Sequence, residues 1–195
     1  MAARREVDEG PEQFRRAVAG LRAATPRSEV VLQETPAPTR LAPHAMAMTA
    51  DILVDDDELA TGRLVLLHDP AGHEAWQGTF RLVTYVRADL EPEIAADPLL
   101  PGVGWAWLTE ALSAHGATFL AESGTVTRVI SESFGAMAPQ PGSAQIEIRA
   151  SWTPLDDALG AHLLAWCELL CTTGGLPPMP AGVTPLPTRR SKQPG

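Results

Sequence analysis

The sequence predicts an α+β domain with a mostly antiparallel, twisted sheet of about five to seven strands and helices packed on one face. Several segments, most clearly 145–152, alternate apolar and polar residues, as strands with one buried face do. Short connections between these segments favour antiparallel pairing, because parallel strands need long crossovers. Segments with helical spacing stand at the start, middle and end, which gives the order helix–strands–helix–strands–helix.

The first helix is predicted between Pro11 and Pro26. Proline is tolerated in a first helical turn, and Phe14, Val18 and Leu21 follow at spacings of four and three residues. These three residues form one apolar face, so the helix is expected to pack on the sheet.

The first group of strands is predicted over 28–34, 44–54, 62–68 and from Gly78 onward. The prolines after 28–34 exclude a central position for that segment. Turn residues at 69–72 follow the strand at 62–68, so the strands at 44–54, at 62–68 and from Gly78 onward are expected to form a meander.

A loop with three prolines separates these strands from the middle helix, because proline cannot continue a ladder or a helix interior. This helix is predicted after Pro101 and ends at Gly116. Its apolar residues at helical spacing are Trp105, Leu108 and Leu112.

The second group of strands is predicted at 118–122, 125–134 and 145–152. Thr153 has the side chain of an N-cap, so the last helix is predicted to begin there and to end at Gly174. Its apolar face consists of Leu155, Leu159, Leu163, Trp166 and Leu170.

The predicted domain organisation is a flexible tail at 1–10, a single α+β domain at 11–175 and a Pro-rich tail at 176–195. By topology the predicted domain resembles secretion-chaperone-like domains that bind partner proteins. A likeness of fold alone does not establish function.

The composition restricts the classes of partner. A net charge of −9 argues against binding to duplex nucleic acid, which requires clustered Lys and Arg. No apolar stretch approaches the ~20 residues of a membrane span, and no export signal is evident, so a cytoplasmic protein is expected. Cys167 and Cys171 are therefore expected as thiols, and no cofactor is predicted.

One cluster has the side chains of a metal site. His68, Asp69, His73 and Glu74 carry the imidazole and carboxylate groups that bind Zn²⁺, and one carboxylate could act as a base. Their spacing matches no zinc motif. The residues are also typical of a solvated turn, which is the favoured interpretation.

Cationic residues recur in the predicted strands, and they suggest an interaction surface. Arg81, Arg87 and Arg149 are expected on the helix-free face with Glu147, where guanidinium groups could bind carboxylates or phosphates. The alternative is pairing between Arg and Glu across strands in solvent. Arginine also occurs in the predicted strands at Arg63 and Arg128.

The five tryptophans fall into two groups. Trp105, Trp152 and Trp166 lie on apolar faces and are expected in the core. Trp76 lies near a turn and Trp107 lies off the stripe from Leu108 to Leu112, so both are candidates for a partner or dimer contact.

Several segments together resemble an actinobacterial family labelled domain of unknown function 3000. The resemblance covers roughly residues 11–187. It implies a cytosolic single-domain protein with no assigned activity, cofactor or site. The segments that carry it are Asp57–Trp76, Gly78–Leu112, Gly124–Gly135, Ala144–Pro154 and LLCTTGGLPPMPAGV at 169–183.

The leading hypothesis is a non-enzymatic domain that binds a protein or an anionic segment through an open sheet face or edge, with a homodimer as a further possibility. One alternative is a small metal-dependent hydrolase centred on the turn from His68 to Glu74. Another is a small-ligand sensor with a cavity between sheet and helices.

Overall fold

The computed structural model describes residues 10–137 and 142–178. The predicted N-terminal tail, except Gly10, and residues 179–195 of the predicted C-terminal tail lie outside these ranges. The helices are α1 (Glu12–Ala23), α2 (Pro92–Ala96), α3 (Leu100–Ala114) and α4 (Gly160–Thr173). The strands are β1 (Val30–Thr35), β2 (His44–Val54), β3 (Asp57–His73), β4 (Gly78–Leu90), β5 (Phe119–Ser131) and β6 (Ser143–Pro154).

The six strands form one antiparallel sheet in the order β1-β2-β3-β4-β6-β5. β1 to β4 are neighbours in chain order. Asp55 and Asp56 connect β2 to β3 with φ values of 51° and 72°, which aspartate tolerates better than most residues. After α2 and α3 the chain returns as the edge strand β5, and β6 then fills the position between β4 and β5. The predicted α+β fold class is confirmed.

The core lies between the sheet and the helices. The even-numbered residues of β2, β3, β4 and β6 face the helices, and α4 contacts α1, α3 and the middle strands. Gly62 allows this close packing, because a Cβ atom there would lie 2.8 Å from Leu170 Cδ2 and 3.1 Å from Trp166 Cζ2. Trp152 and Trp166 are fully buried, as predicted.

Several element boundaries differ from the prediction, and the first is the start of the last helix. Thr153 does not cap a helix, because β6 continues to Pro154 and α4 begins only at Gly160. Leu155, predicted on the apolar face of that helix, is 58 % exposed. The capping pattern at Thr153 was misleading because its hydroxyl bonds across the sheet.

The second correction concerns β5. The two strands predicted at 118–122 and 125–134 form a single strand with a bulge. Ser123 and Gly124, predicted as a turn, continue the pairing with β6. The bulge lies at Ala121 and Glu122, where the register shifts.

The described helices pack on the even-numbered face of the sheet, so much of the odd-numbered face is uncovered. It is covered at one end, where Ala47, Leu67 and Arg81 are buried. Near Arg81 the turn between β3 and β4 contacts β6, since the carbonyl of Trp76 accepts a hydrogen bond from Thr153.

Candidate functional site: a groove on the open sheet face

The open face carries a groove of about 860 Å³ that crosses β3, β4, β6 and β5. Val65 and Val83 form an apolar floor, and they are directly paired across β3 and β4. The groove is open to solvent along one side. A shallow, partly apolar surface of this kind suits an extended or helical segment better than it suits a small molecule that needs enclosure.

One row of the sheet places a tyrosine between two arginines. Arg63 pairs with Tyr85 across β3 and β4, and Tyr85 pairs with Arg149 across β4 and β6. Neighbouring strands lie about 4.8 Å apart, so the two arginine positions are separated by about 10 Å. Thr125 on β5 completes the row. Two guanidinium groups therefore border the apolar floor.

Arg149 is held in place by two neighbours. Its Nη1 donates to Glu147 Oε2 at 2.6 Å, and its guanidinium carbon lies 4.9 Å from the centre of the Tyr85 ring. The Tyr85 hydroxyl donates to the same carboxylate at 3.1 Å. The bond from Arg149 and then the bond from Tyr85 lower the pKa of Glu147, so this carboxylate stays ionised. Burial and the bond to Glu147 raise the pKa of Tyr85.

Arg63 is held by the backbone and has no carboxylate among its described hydrogen-bond partners. Its Nη2 donates to the carbonyl of Pro36 at 2.7 Å. The carbonyl neutralises none of its positive charge, so Arg63 can still attract an anion in the groove.

Arg81 is buried beside the groove, with 7 % of its surface exposed. Its Nη1 donates to the carbonyl of Ala121 at 2.8 Å and to Thr153 Oγ1 at 3.1 Å. Its Nη2 donates to Ser123 Oγ at 3.2 Å and to Ser151 Oγ at 2.7 Å. Desolvation lowers the pKa of Arg81. Arg81 was predicted on the open face; the structure confirms the face but buries the side chain.

The other arginines of the predicted strands lie outside the groove. Arg87 is exposed on the same face, 3.9 Å from the carboxylate of Asp89. Arg128 lies on the helix side and donates to the carbonyls of Ala95 and Asp97. The five arginines therefore do not form one surface, because Arg128 is paired with Ile146, whose side chain is buried on the helix side of the sheet.

The two tryptophans predicted as contacts are both partly buried. Trp76 stacks on His73 with ring centres 5.0 Å apart. Trp107 packs against the core and lines a cavity of about 600 Å³ with Glu110 of α3 and Glu168 of α4. Neither residue lines the groove.

The four candidate metal ligands do not converge. His68 is 1 % exposed, stacks on Phe80 at 4.2 Å and bonds to the carbonyl of Thr79. His73 and Glu74 are exposed at the turn that joins β3 to β4, since β3 continues to His73 and the chain turns there rather than at the predicted 69–72. Within residues 10–137 and 142–178, no three His, Cys, Asp or Glu side chains form a metal-binding group.

Sequence reasoning missed Ser123, Tyr85 and Thr125 as groove residues. Each lies at a polar or aromatic position of a strand, and such positions are common on any solvated face. Only the register shows that Tyr85 and Thr125 are paired with Arg149 and that Ser123 is paired with Ser151. These residues could have been grouped only if the position of β6 between β4 and β5 in the sheet had been known.

In the part of the chain that the structure describes, no helix has the length and apolar content to span a membrane.

The fold and the groove define an α+β domain with an antiparallel sheet and a partly open, arginine-bordered face. The chain belongs to the family described as "Protein of unknown function (DUF3000)", whose model matches residues 10–184. No curated protein and no solved structure shows significant similarity to it.

Proposed function

We propose that this protein is a non-enzymatic partner-binding domain, and that the groove binds an amphipathic, acidic segment of another protein. The observation that carries the proposal is the combination of an apolar floor, Val65 and Val83, with flanking guanidinium groups on Arg63 and Arg149. A segment with apolar residues on one side and carboxylates at its borders complements both features.

The floor provides the apolar contact. Burying apolar surface contributes roughly 25 cal/mol per Å², so even a shallow apolar floor favours a ligand with apolar side chains. The valines are half-buried in the free protein, so a partner would remove their remaining exposed surface from water.

The borders provide selectivity for negative charge. Arginine binds carboxylates through paired N–H groups, and both Arg63 and Arg149 are already oriented by their neighbours. The protein as a whole has a net charge of −9, so an acidic segment is attracted by the local positive charge of the groove and not by the overall charge of the protein.

The alternatives gain no support from the arrangement of side chains. The hydrolase hypothesis needs His68 and His73 in one site, but His68 is part of the core. The sensor hypothesis needs space between sheet and helices, where Trp152 and Trp166 are packed. Homodimerisation is a separate prediction, which light scattering of the purified chain tests.

The groove proposal is tested by selecting a displayed library of random peptides on the purified, full-length protein. The selected peptides are expected to combine apolar residues with Asp and Glu. Reversing a groove charge with Arg63→Glu or Arg149→Glu should weaken their binding by about tenfold or more, which corresponds to ~1.4 kcal/mol. Binding should also weaken as salt is added.

The matched control is Arg15→Glu. Arg15 is exposed on α1, on the opposite side of the sheet, and the substitution changes the net charge by the same amount. Binding to this variant should be unchanged. Selection of basic peptides, failure to select any peptide, or equal losses in the groove and control variants would refute the proposal.

A further inference from the structure

We propose that Arg81, together with the hydroxyl groups of Ser123 and Ser151, forms a carboxylate-binding subsite at one end of the groove. We name these three residues the Arg81 cluster. The inference rests on the proposed function and specifies it further. An acidic side chain of the bound segment lies at this end of the groove, and the neighbouring apolar side chains of the segment pack on Val83.

The first argument is the charge of Arg81. Buried arginines are nearly always paired with an anion, because an unpaired buried charge is costly. Arg81 is 7 % exposed, and no ion pair in the described part of the chain includes it. Its four hydrogen bonds go to a carbonyl and three hydroxyls, all of them uncharged. The fold thus maintains a positive charge that a bound anion would neutralise.

The second argument is the direction of the serine hydroxyl hydrogens. Guanidinium donates and cannot accept, so Ser123 and Ser151 must both act as acceptors toward Arg81. Their own hydrogens therefore point elsewhere. One can be shared between them, since their oxygens lie 3.3 Å apart, and at least one is available to the groove. The hydroxyl of Thr153 is different, because it already donates to the carbonyl of Trp76.

The third argument is the backbone around the cluster. Ala121 has a φ of 52°, a left-handed conformation that is unfavourable for a residue with a Cβ atom. This conformation belongs to the bulge of β5, and the Ala121 carbonyl bonds to Arg81. Strained backbone of this kind is concentrated at functional sites. Here the bulge supplies one of the contacts that hold the guanidinium beneath the two serines.

Position and charge together favour a carboxylate. Both serines line the groove, and Ser151 pairs directly with Val83, so a polar donor site adjoins the apolar floor. A single guanidinium with hydroxyl donors matches a single negative charge. A phosphate dianion would lack a second buried cation, since Arg149 is exposed.

The subsite is tested by NMR titration of the ¹⁵N-labelled full-length protein at constant ionic strength. The probes are N-acetylglutamate α-amide, which carries a side-chain carboxylate, and the neutral N-acetylglutamine α-amide. Saturable shifts at the amides of Ser123, Gly124 and Ser151 are expected with the first probe only. Equal shifts with the neutral probe, or no saturable shift, would overturn the subsite.

The matched variants are Ser123→Ala with Ser151→Ala, and Ser131→Ala as the control. Ser131 is an exposed serine of the same strand, paired with Ser143. The double variant should bind the carboxylate probe about tenfold or more weakly, and the control should bind it as the wild type does. An unaffected double variant would refute the assignment. Tighter saturable binding of inorganic phosphate at the same amides would also refute it, in favour of a phosphate site.

The outcome for the subsite is distinguishable from the outcome for the groove. If selected peptides lose affinity with Arg149→Glu but not with the double serine variant, the groove function is supported and the subsite is rejected. If the carboxylate probe binds at the serines but no peptide is selected, the anion site is supported and the peptide-binding function is rejected.

Discussion

Lowering the pH from 7 to 5 is expected to destabilise the fold through the buried imidazole of His162. The side chain is 1 % exposed, and its Nδ1 accepts a hydrogen bond from Trp152 Nε1 at 3.1 Å. An accepting Nδ1 carries no proton, so protonation of the ring would break this bond and place a charge in the core. Burial accordingly lowers the pKa of His162 from 6.5 to about 4.

The size of the effect follows from this difference in pKa. In the unfolded chain the imidazole titrates near 6.5, whereas in the folded chain it titrates near 4. Between these values only the unfolded chain binds the proton, so stability is fully present above pH 6.5 and decreases as the pH falls. The expected loss is about 2 kcal/mol between pH 7 and pH 5, and it approaches ~3 kcal/mol below pH 4. Burial lowers the pKa of His68 as well, which adds a loss of the same sign.

The assay is urea unfolding at a series of pH values, compared with the variant His162→Asn. The asparagine side-chain oxygen can accept the bond from Trp152, and it does not titrate in this range. The variant should lose about 2 kcal/mol less than the wild type between pH 7 and pH 5. The control is His115→Asn, at an exposed position after α3, which should keep the pH dependence of the wild type.

Two results would refute this reasoning. If the wild type and His162→Asn showed the same pH dependence, the imidazole would not be the titrating group. If the wild type became more stable on acidification over this range, the folded state would bind the proton more tightly than the unfolded state, opposite to the lowered pKa.

Further predictions concern close packing and thiol reactivity. Gly62→Ala should lower the free energy of unfolding by about 1–3 kcal/mol, because the added Cβ overpacks against α4. Gly102→Ala should leave it unchanged, because a Cβ at this position has open space. Urea unfolding measures both values. Gly124→Ala should weaken both stability and peptide binding, because its Cβ would overlap a carbonyl oxygen of β6; unchanged affinity for selected peptides would contradict this. Cys167 and Cys171 are buried and their pKa values are raised, so Ellman's reagent should react with them only after unfolding; rapid reaction in the native state would show that the core opens.

The period of the apolar residues was sufficient to predict the class of fold. The alternation in β2, β4 and β6 and the helical spacing of Phe14, Val18 and Leu21 both reflect a single buried face. Burial of one face is a local property of each element, so it can be recognised without knowing which elements are neighbours. For the same reason the buried faces of α1 and β6 were predicted correctly.

Boundaries were less accurate where a polar side chain had a distant partner. Thr153 has the local pattern of a helix cap, but its hydroxyl bonds to Trp76, 77 positions away in the chain. Ser123 and Gly124 have the local pattern of a turn, yet β6 pairs with both of them. Local preferences worth about 1 kcal/mol are readily overridden by such tertiary contacts.

The candidate site depends on tertiary structure to a greater degree. The sequence alone determined that Arg81 and Arg149 lie on the helix-free side of the sheet, because alternation assigns each residue to a face. Only the tertiary structure decided that Arg149 borders the groove while Arg81 is buried beneath two serines. Register, strand order and the bulge at Ala121 determine these positions, and each arises from pairing between segments far apart in the chain.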